Sequence, residues 1–178
     1  MIGKIKIADF EIAKQITLDP YSNFNTIVSV LDPMSDEELF GYHNKLNSIY
    51  KDKYKYLYRF FYDFDDDDTP PHGDMEIFGP SINDAQFFIE EFTKLIEDNN
   101  IYNVLIHCFA GESRSTALGF LLLKLQKLDN WLAWEKLLKI RLCAEPNTRF
   151  LKHCDVILGT DMESFIKEQI KCLKLEIN

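Results

Sequence analysis

Val104-Leu-Ile-His107-Cys108-Phe-Ala-Gly111-Glu-Ser-Arg114-Ser-Thr116 sets a short apolar run, a glycine-containing loop and a helix start in immediate succession. Val104 to Ile106 have the character of a buried strand end. The residues from Ala117 to Leu123 are apolar almost all round, as a helix enclosed on every side requires. A buried strand that turns at once into a buried helix restricts the chain to architectures in which helices cover a sheet.

The loop between them has a chemistry of its own. A loop that closes onto a helix N-terminus brings unpaired backbone N–H groups together where the helix dipole also favours negative charge. Phe109, Ala110, Gly111, Glu112, Ser113 and Arg114 therefore read as an anion cradle suited to phosphate. Arg114 adds a planar fork that pairs two phosphate oxygens at once, which a lysine does not provide. The same field favours the ionised form of a thiol placed there, so Cys108 is expected to lie as a thiolate beneath a bound phosphorus. That combination is suited to phosphoryl transfer through a phosphocysteine intermediate.

His107-Cys108, five residues, then Arg114-Ser115 resembles the signature loop of the cysteine-dependent protein tyrosine phosphatases, and HCFAGESRST is most similar to their small dual-specificity and predicted bacterial-type members. The resemblance implies roles for the flanking residues: His107 orders the loop without exchanging protons, and Ser115 sets its hydroxyl near the sulfur and assists its departure in the second step. Two further segments extend the likeness from about residue 27 to residue 161. Ile27-Val-Ser-Val-Leu-Asp-Pro33 is similar to an early strand of the bacterial-type members, and Arg141-Leu-Cys-Ala-Glu-Pro-Asn147-Thr-Arg-Phe150-Leu151 to the late helices of the dual-specificity type. Asn147 is expected to support the site from behind and to cap a helix.

Such a mechanism needs a general acid for the leaving oxygen. Tyr56 to Tyr62 read as a strand that runs into the acidic, proline-bearing stretch Asp63-Phe-Asp-Asp66-Asp-Asp-Thr-Pro70. In the resembled family the acid stands where such a strand ends, which matches Asp63. Asp66 is the rival, because Asp66-x-x-Thr-Pro70 resembles the acid loop of other cysteine phosphatases. Most of the remaining carboxylates are expected to be a solvated run.

Strands are expected at Lys4–Ala8, Ile27–Leu31, Tyr56–Tyr62 and Val104–Ile106. Helices are expected after Ser35-x-x-Glu38 and Ser81-x-x-Asp84, and over Asn130–Arg141, Asn147–Leu158 and Asp161–Leu175. Strands interleaved with helices, then helices alone, imply an α/β fold with a mainly parallel central sheet, helices on both faces and a helical C-terminal part. The ligand site would lie at the carboxyl ends of the strands. At 178 residues the chain suits a single domain over residues 1–178.

Composition narrows the function. The 46% hydrophobic fraction argues against disorder. The longest apolar run, around Leu118 to Leu123, is too short to span a bilayer, and no signal peptide opens the chain, so no membrane association is expected. Cys108, Cys143, Cys154 and Cys172 show no metal-like spacing, which fits a reduced, cytoplasmic protein without metal or other cofactor. A net charge of −9 and a carboxylate at Glu112 oppose polyanions, so a nucleic-acid partner is not expected. The expected partner is a phosphorylated protein or a small phosphomonoester. Tyr50, Tyr54, Tyr56 and Tyr58 are candidates to line its cleft, although most are expected to be ordinary strand residues. Two other readings stay open: a phosphate-binding pseudophosphatase that holds a partner without turnover, and a rhodanese-type sulfur carrier using Cys108.

Overall fold

The computed structural model describes residues 1–33, 41, 44, 54–64 and 79–176. Four strands, β1 (Ile2–Ala8), β2 (Thr26–Leu31), β3 (Lys55–Phe60) and β4 (Tyr102–His107), form one sheet in the order β1-β4-β2-β3. Every pairing is parallel. Parallel neighbours need long crossovers, and described helices supply two of them: α1 (Phe10–Leu18) lies between β1 and β2, and α2 (Ile82–Glu97) between β3 and β4; α3 (Arg114–Leu125) follows β4. Three more helices follow: α4 (Asn130–Ile140), α5 (Thr148–Leu158) and α6 (Met162–Glu176).

Alternation along the strands feeds two apolar layers. On one face Ile7, Val28, Val30, Val104 and Ile106 join the large core built with α2 to α6. On the other, Ala8 and Leu105 pack with Ala13 and Phe24, while Ile27 and Leu31 pack with Phe10 and Tyr54, so α1 covers this side. The expected α/β fold with helices on both faces is therefore present, with a sheet that is wholly parallel. The sequence reading missed α1. Its Asp9 N-cap, whose carboxylate accepts from the Ile12 N–H at 2.8 Å, is the start signal that lay there.

α3 occupies the centre of the larger layer, and Arg114 through Leu123 are all buried. Such enclosure is why its apolar residues run all round rather than along a stripe. α2 behaves differently, with a buried edge of Ala85, Phe88, Ile89, Phe92 and Leu95 and an N-terminal capping box between Ser81 and Asp84, as anticipated. β3 ends at Phe60, two residues before the expected Tyr62, although the Phe61 N–H still bonds to Leu31 O at 3.0 Å. Most of the expected helix after Ser35 falls outside the described residues, although Gly41 and Asn44, which are described, are helical. Among the described residues no helix is long and apolar enough to cross a membrane.

Candidate active site

Three adjacent strands, β4, β2 and β3, end side by side, and the polar residues of interest stand just past their carboxyl ends: Cys108 after β4, Asp32 after β2, and Asp63 after β3. This is where open parallel sheets place ligands.

The loop from Cys108 to Ser113 takes its shape from donors outside it. Phe109 O accepts from the Phe10 N–H at 3.0 Å, and Glu112 O from the Glu145 N–H at 2.9 Å. Arg141 spans the two carbonyls between, its Nη2 donating to Ala110 O and its Nε to Gly111 O, both at 3.1 Å. In a planar trans peptide the N–H points opposite to the C=O. Four outward-held carbonyls therefore turn the N–H groups of Ala110, Gly111, Glu112 and Ser113 the other way. The Gly111 N–H shows the direction, since it donates to Cys108 Sγ at 3.2 Å. Gly111 itself has φ of +76°, and an added Cβ would lie 2.6 Å from backbone atoms of Ala8 and Asp9, so both conformation and space require glycine.

At the end of the loop Ser113 is the N-cap of α3 but makes no side-chain cap bond, which leaves first-turn N–H groups of the helix open to an anion. Cys108 is buried, with 1% of its surface exposed. Its sulfur lies 3.2 Å from Ser115 Oγ, where the family resemblance puts that hydroxyl. His107 is fully enclosed: Nδ1 lies 3.4 Å from Cys108 O and Nε2 2.5 Å from Ser29 Oγ. Burial, opposed by the bond to Cys108 O and by the charge of Asp9, pushes its pKa down to about 4. The imidazole is thus neutral at pH 7 and braces the loop from beneath.

Arg114 lies under the loop, 4% exposed. Its Nη1 donates to Asp32 Oδ1 at 2.7 Å and to Phe61 O at 2.8 Å. Its Nε, 3.6 Å from Asp63 Oδ2, is buried without a hydrogen-bond partner among the described residues. A buried donor with no acceptor is costly, and an anion bound in the loop would relieve it.

Asp63 reaches the site from the surface. Its Oδ1 accepts from Ser113 Oγ at 2.6 Å and from Asn147 Nδ2 at 2.9 Å. The other Asn147 amide hydrogen goes to Phe64 O at 3.0 Å, while Asn147 Oδ1 caps α5 by accepting from the Phe150 N–H at 2.8 Å. One buried side chain thus joins the segment after β3 to α5. Asp66 lies outside the described residues.

Cys108, Arg114, Ser115, His107, Asn147, Asp63 and the cradle residues from Phe109 to Ser113 are therefore brought together. Phe109, Ala110 and Glu112 are exposed at the loop surface. Tyr54 is a core residue whose hydroxyl donates to Thr17 O at 3.3 Å, Tyr56 packs partly buried against its cluster, and Tyr50 lies outside the described residues. Asp32, Ser29 and the strap made by Arg141 were not anticipated. Asp32 follows a buried strand directly, which was the signal available. The thiols of Cys108, Cys143, Cys154 and Cys172 are all free, and burial pushes that of Cys154 well up. Among the described residues no three metal-ligating side chains converge.

No family model and no curated protein sequence matches the chain. Solved structures do. Human DUSP28 superposes with a TM-score of 0.56 at 13% identity, over 88% of this chain and 95% of that one. PTPMT1 gives 0.54 at 18%, over 96% and 95%. The active form of Tk-PTP gives 0.50 at 17%, over 86% and 92%. The fold is that of the dual-specificity-like cysteine phosphatases. At these identities the likeness is one of backbone architecture, and in this phosphatase fold the HCFAGESRST loop stands at the carboxyl ends of the strands.

Proposed function

We propose that the protein, acting as one domain over residues 1–178, hydrolyses phosphomonoesters of proteins or small molecules through a phosphocysteine at Cys108. The observation that carries this is the inward turn of the loop amides around the Cys108 sulfur, with an Arg114 Nε beside them that has no hydrogen-bond partner among the described residues. The thiolate attacks phosphorus, the S–P bond forms and the P–O bond to the leaving group breaks. Asp63 gives its proton to the departing oxygen. Oδ1 accepts from two donors, which leaves Oδ2 to carry that proton. Water then attacks phosphorus, returns a proton to Asp63 and breaks the S–P bond, and the Ser115 hydroxyl steadies the sulfur as it leaves. Charge on the transferring group meets Arg114 and preorganised N–H groups, with no metal or cofactor assigned a step. The four free thiols fit a reduced, cytoplasmic setting, which is part of the same proposal.

The test is the pH profile of phosphate release from p-nitrophenyl phosphate and a phosphotyrosine peptide. Cys108→Ser is expected to abolish turnover, and Asp63→Asn to slow it about 10²- to 10⁴-fold with loss of the basic limb. Asp66→Asn should retain that limb, and its loss there instead would transfer the acid role to Asp66. Wild type that binds phosphopeptide without releasing phosphate would favour the pseudophosphatase. Net charge and the exposed Glu112 favour the peptide over RNA 5′-triphosphate and inositol phospholipid in the same assay.

A further inference from the structure

Resting on the reading of the loop as a phosphate site, the geometry points to Asp32 as the positioning residue that fixes which edge of the Arg114 guanidinium faces the phosphate. A guanidinium has five N–H bonds in one plane, and parallel pairs that match two phosphate oxygens lie on the edge formed by Nε and one terminal nitrogen and on the edge formed by the two terminal nitrogens. Both hydrogens of Nη1 are engaged here, one by the Asp32 carboxylate at 2.7 Å and one by Phe61 O at 2.8 Å. Two acceptors on one nitrogen define the plane and its rotation. The opposite edge, which includes the buried Nε that has no hydrogen-bond partner among the described residues, is left for the anion.

The sheet explains why these two acceptors lie together. β2 and β3 are parallel neighbours paired in register from Thr26 with Lys55 to Leu31 with Phe60, and the Phe61 N–H extends the ladder to Leu31 O at 3.0 Å. Asp32 and Phe61 are thus the next residues on adjacent strand ends. Phe61 is held in turn by its buried ring, which stacks on Phe150 with centroids 6.1 Å apart. β2 lies between β4 and β3, so the Asp32 carboxylate stands between the Cys108 end and the Asp63 end of the site. A carbonyl alone would leave the fork free to swing about a single bond, whereas the carboxylate adds a charged second point.

The opposite role for Asp32 makes an opposite prediction. A carboxylate that merely competed with phosphate for Arg114 would weaken anion binding, and its removal would strengthen it. Tungstate affinity, measured by calorimetry on the intact protein, separates the two without needing turnover. Asp32→Ala is expected to weaken tungstate binding about 10- to 100-fold, the range for a lost hydrogen bond to a charged group. Asp32→Asn keeps the acceptor at the same place and is expected to stay within about threefold of wild type. Equal or tighter binding by Asp32→Ala would overturn the inference, as would Asp32→Asn binding as weakly as the alanine variant. If Asp32→Ala does not fold, the asparagine variant still decides: a tenfold loss there contradicts positioning through an acceptor. Tungstate binding that depends on Asp32 in a protein without turnover would uphold this role of Asp32 while overturning the hydrolase reading.

Discussion

His107 carries the clearest electrostatic consequence at the scale of one residue. The unfolded chain takes up a proton at this imidazole near its ordinary value of 6.5, whereas burial delays uptake in the folded protein to about pH 4. The unfolded state therefore binds more protons between those values. Stability from this group is complete above pH 6.5 and falls as the pH drops toward 4, by roughly 3 kcal/mol in all. Urea titrations across this range test it. His107→Gln is expected to be less stable than wild type at pH 7, and that deficit should shrink by up to roughly 3 kcal/mol at pH 4. A deficit that does not change with pH would contradict an enclosed, neutral imidazole. Cys108 and Arg114 were legible in the sequence because a fixed short spacing across a strand, loop and helix start leaves them little freedom. Asp32 was not legible as a partner of Arg114. The two are 82 positions apart, and only the order of the strands brings them together.

At the scale of elements, α5 and the segment after β3 are joined by a single amide. Asn147 caps α5 through its oxygen and tethers Asp63 and Phe64 through its nitrogen, so the two tasks can be separated. Asn147→Ser keeps a cap oxygen and is expected to be about 1 kcal/mol more stable than Asn147→Ala, which loses the cap as well as the amide donors. Both remove the amide donor to Asp63, and both are expected to slow phosphate release about tenfold, the scale of one lost hydrogen bond to a charged group. Thermal denaturation beside a p-nitrophenyl phosphate assay reads each effect, and a serine variant with full activity would sink the tether. Expecting Asn147 to be both cap and support was possible because a cap residue is a local signal. The second task depends on where β3 ends, and the sequence placed that end two residues late. α1 was overlooked for a related reason: its apolar residues are split between two small clusters rather than one continuous stripe.

The whole molecule explains why one loop can be held so firmly. Its four carbonyls are tied to two segments far from it in sequence: the start of α1, and the turn between α4 and α5 that carries Arg141 and Glu145. The loop is thus shaped by the helices on both faces of the sheet, and the parallel order delivers Cys108, Asp32 and Asp63 to the carboxyl ends of its strands. The fold class was legible because interleaved strands and helices with a helical tail admit few architectures. The straps around the loop were not, because backbone carbonyls leave no mark in the pattern of side chains. The most direct test of the account is to mix the protein with a phosphotyrosine peptide, stop the reaction in acid within milliseconds, and map the mass of a phosphoryl group by peptide sequencing. The account predicts that group on Cys108 in wild type, accumulated further in Asp63→Asn with a good leaving group, and missing in Cys108→Ser. Phosphate released with no phosphorylated cysteine at any time, or a phosphoryl group on another residue, would contradict it.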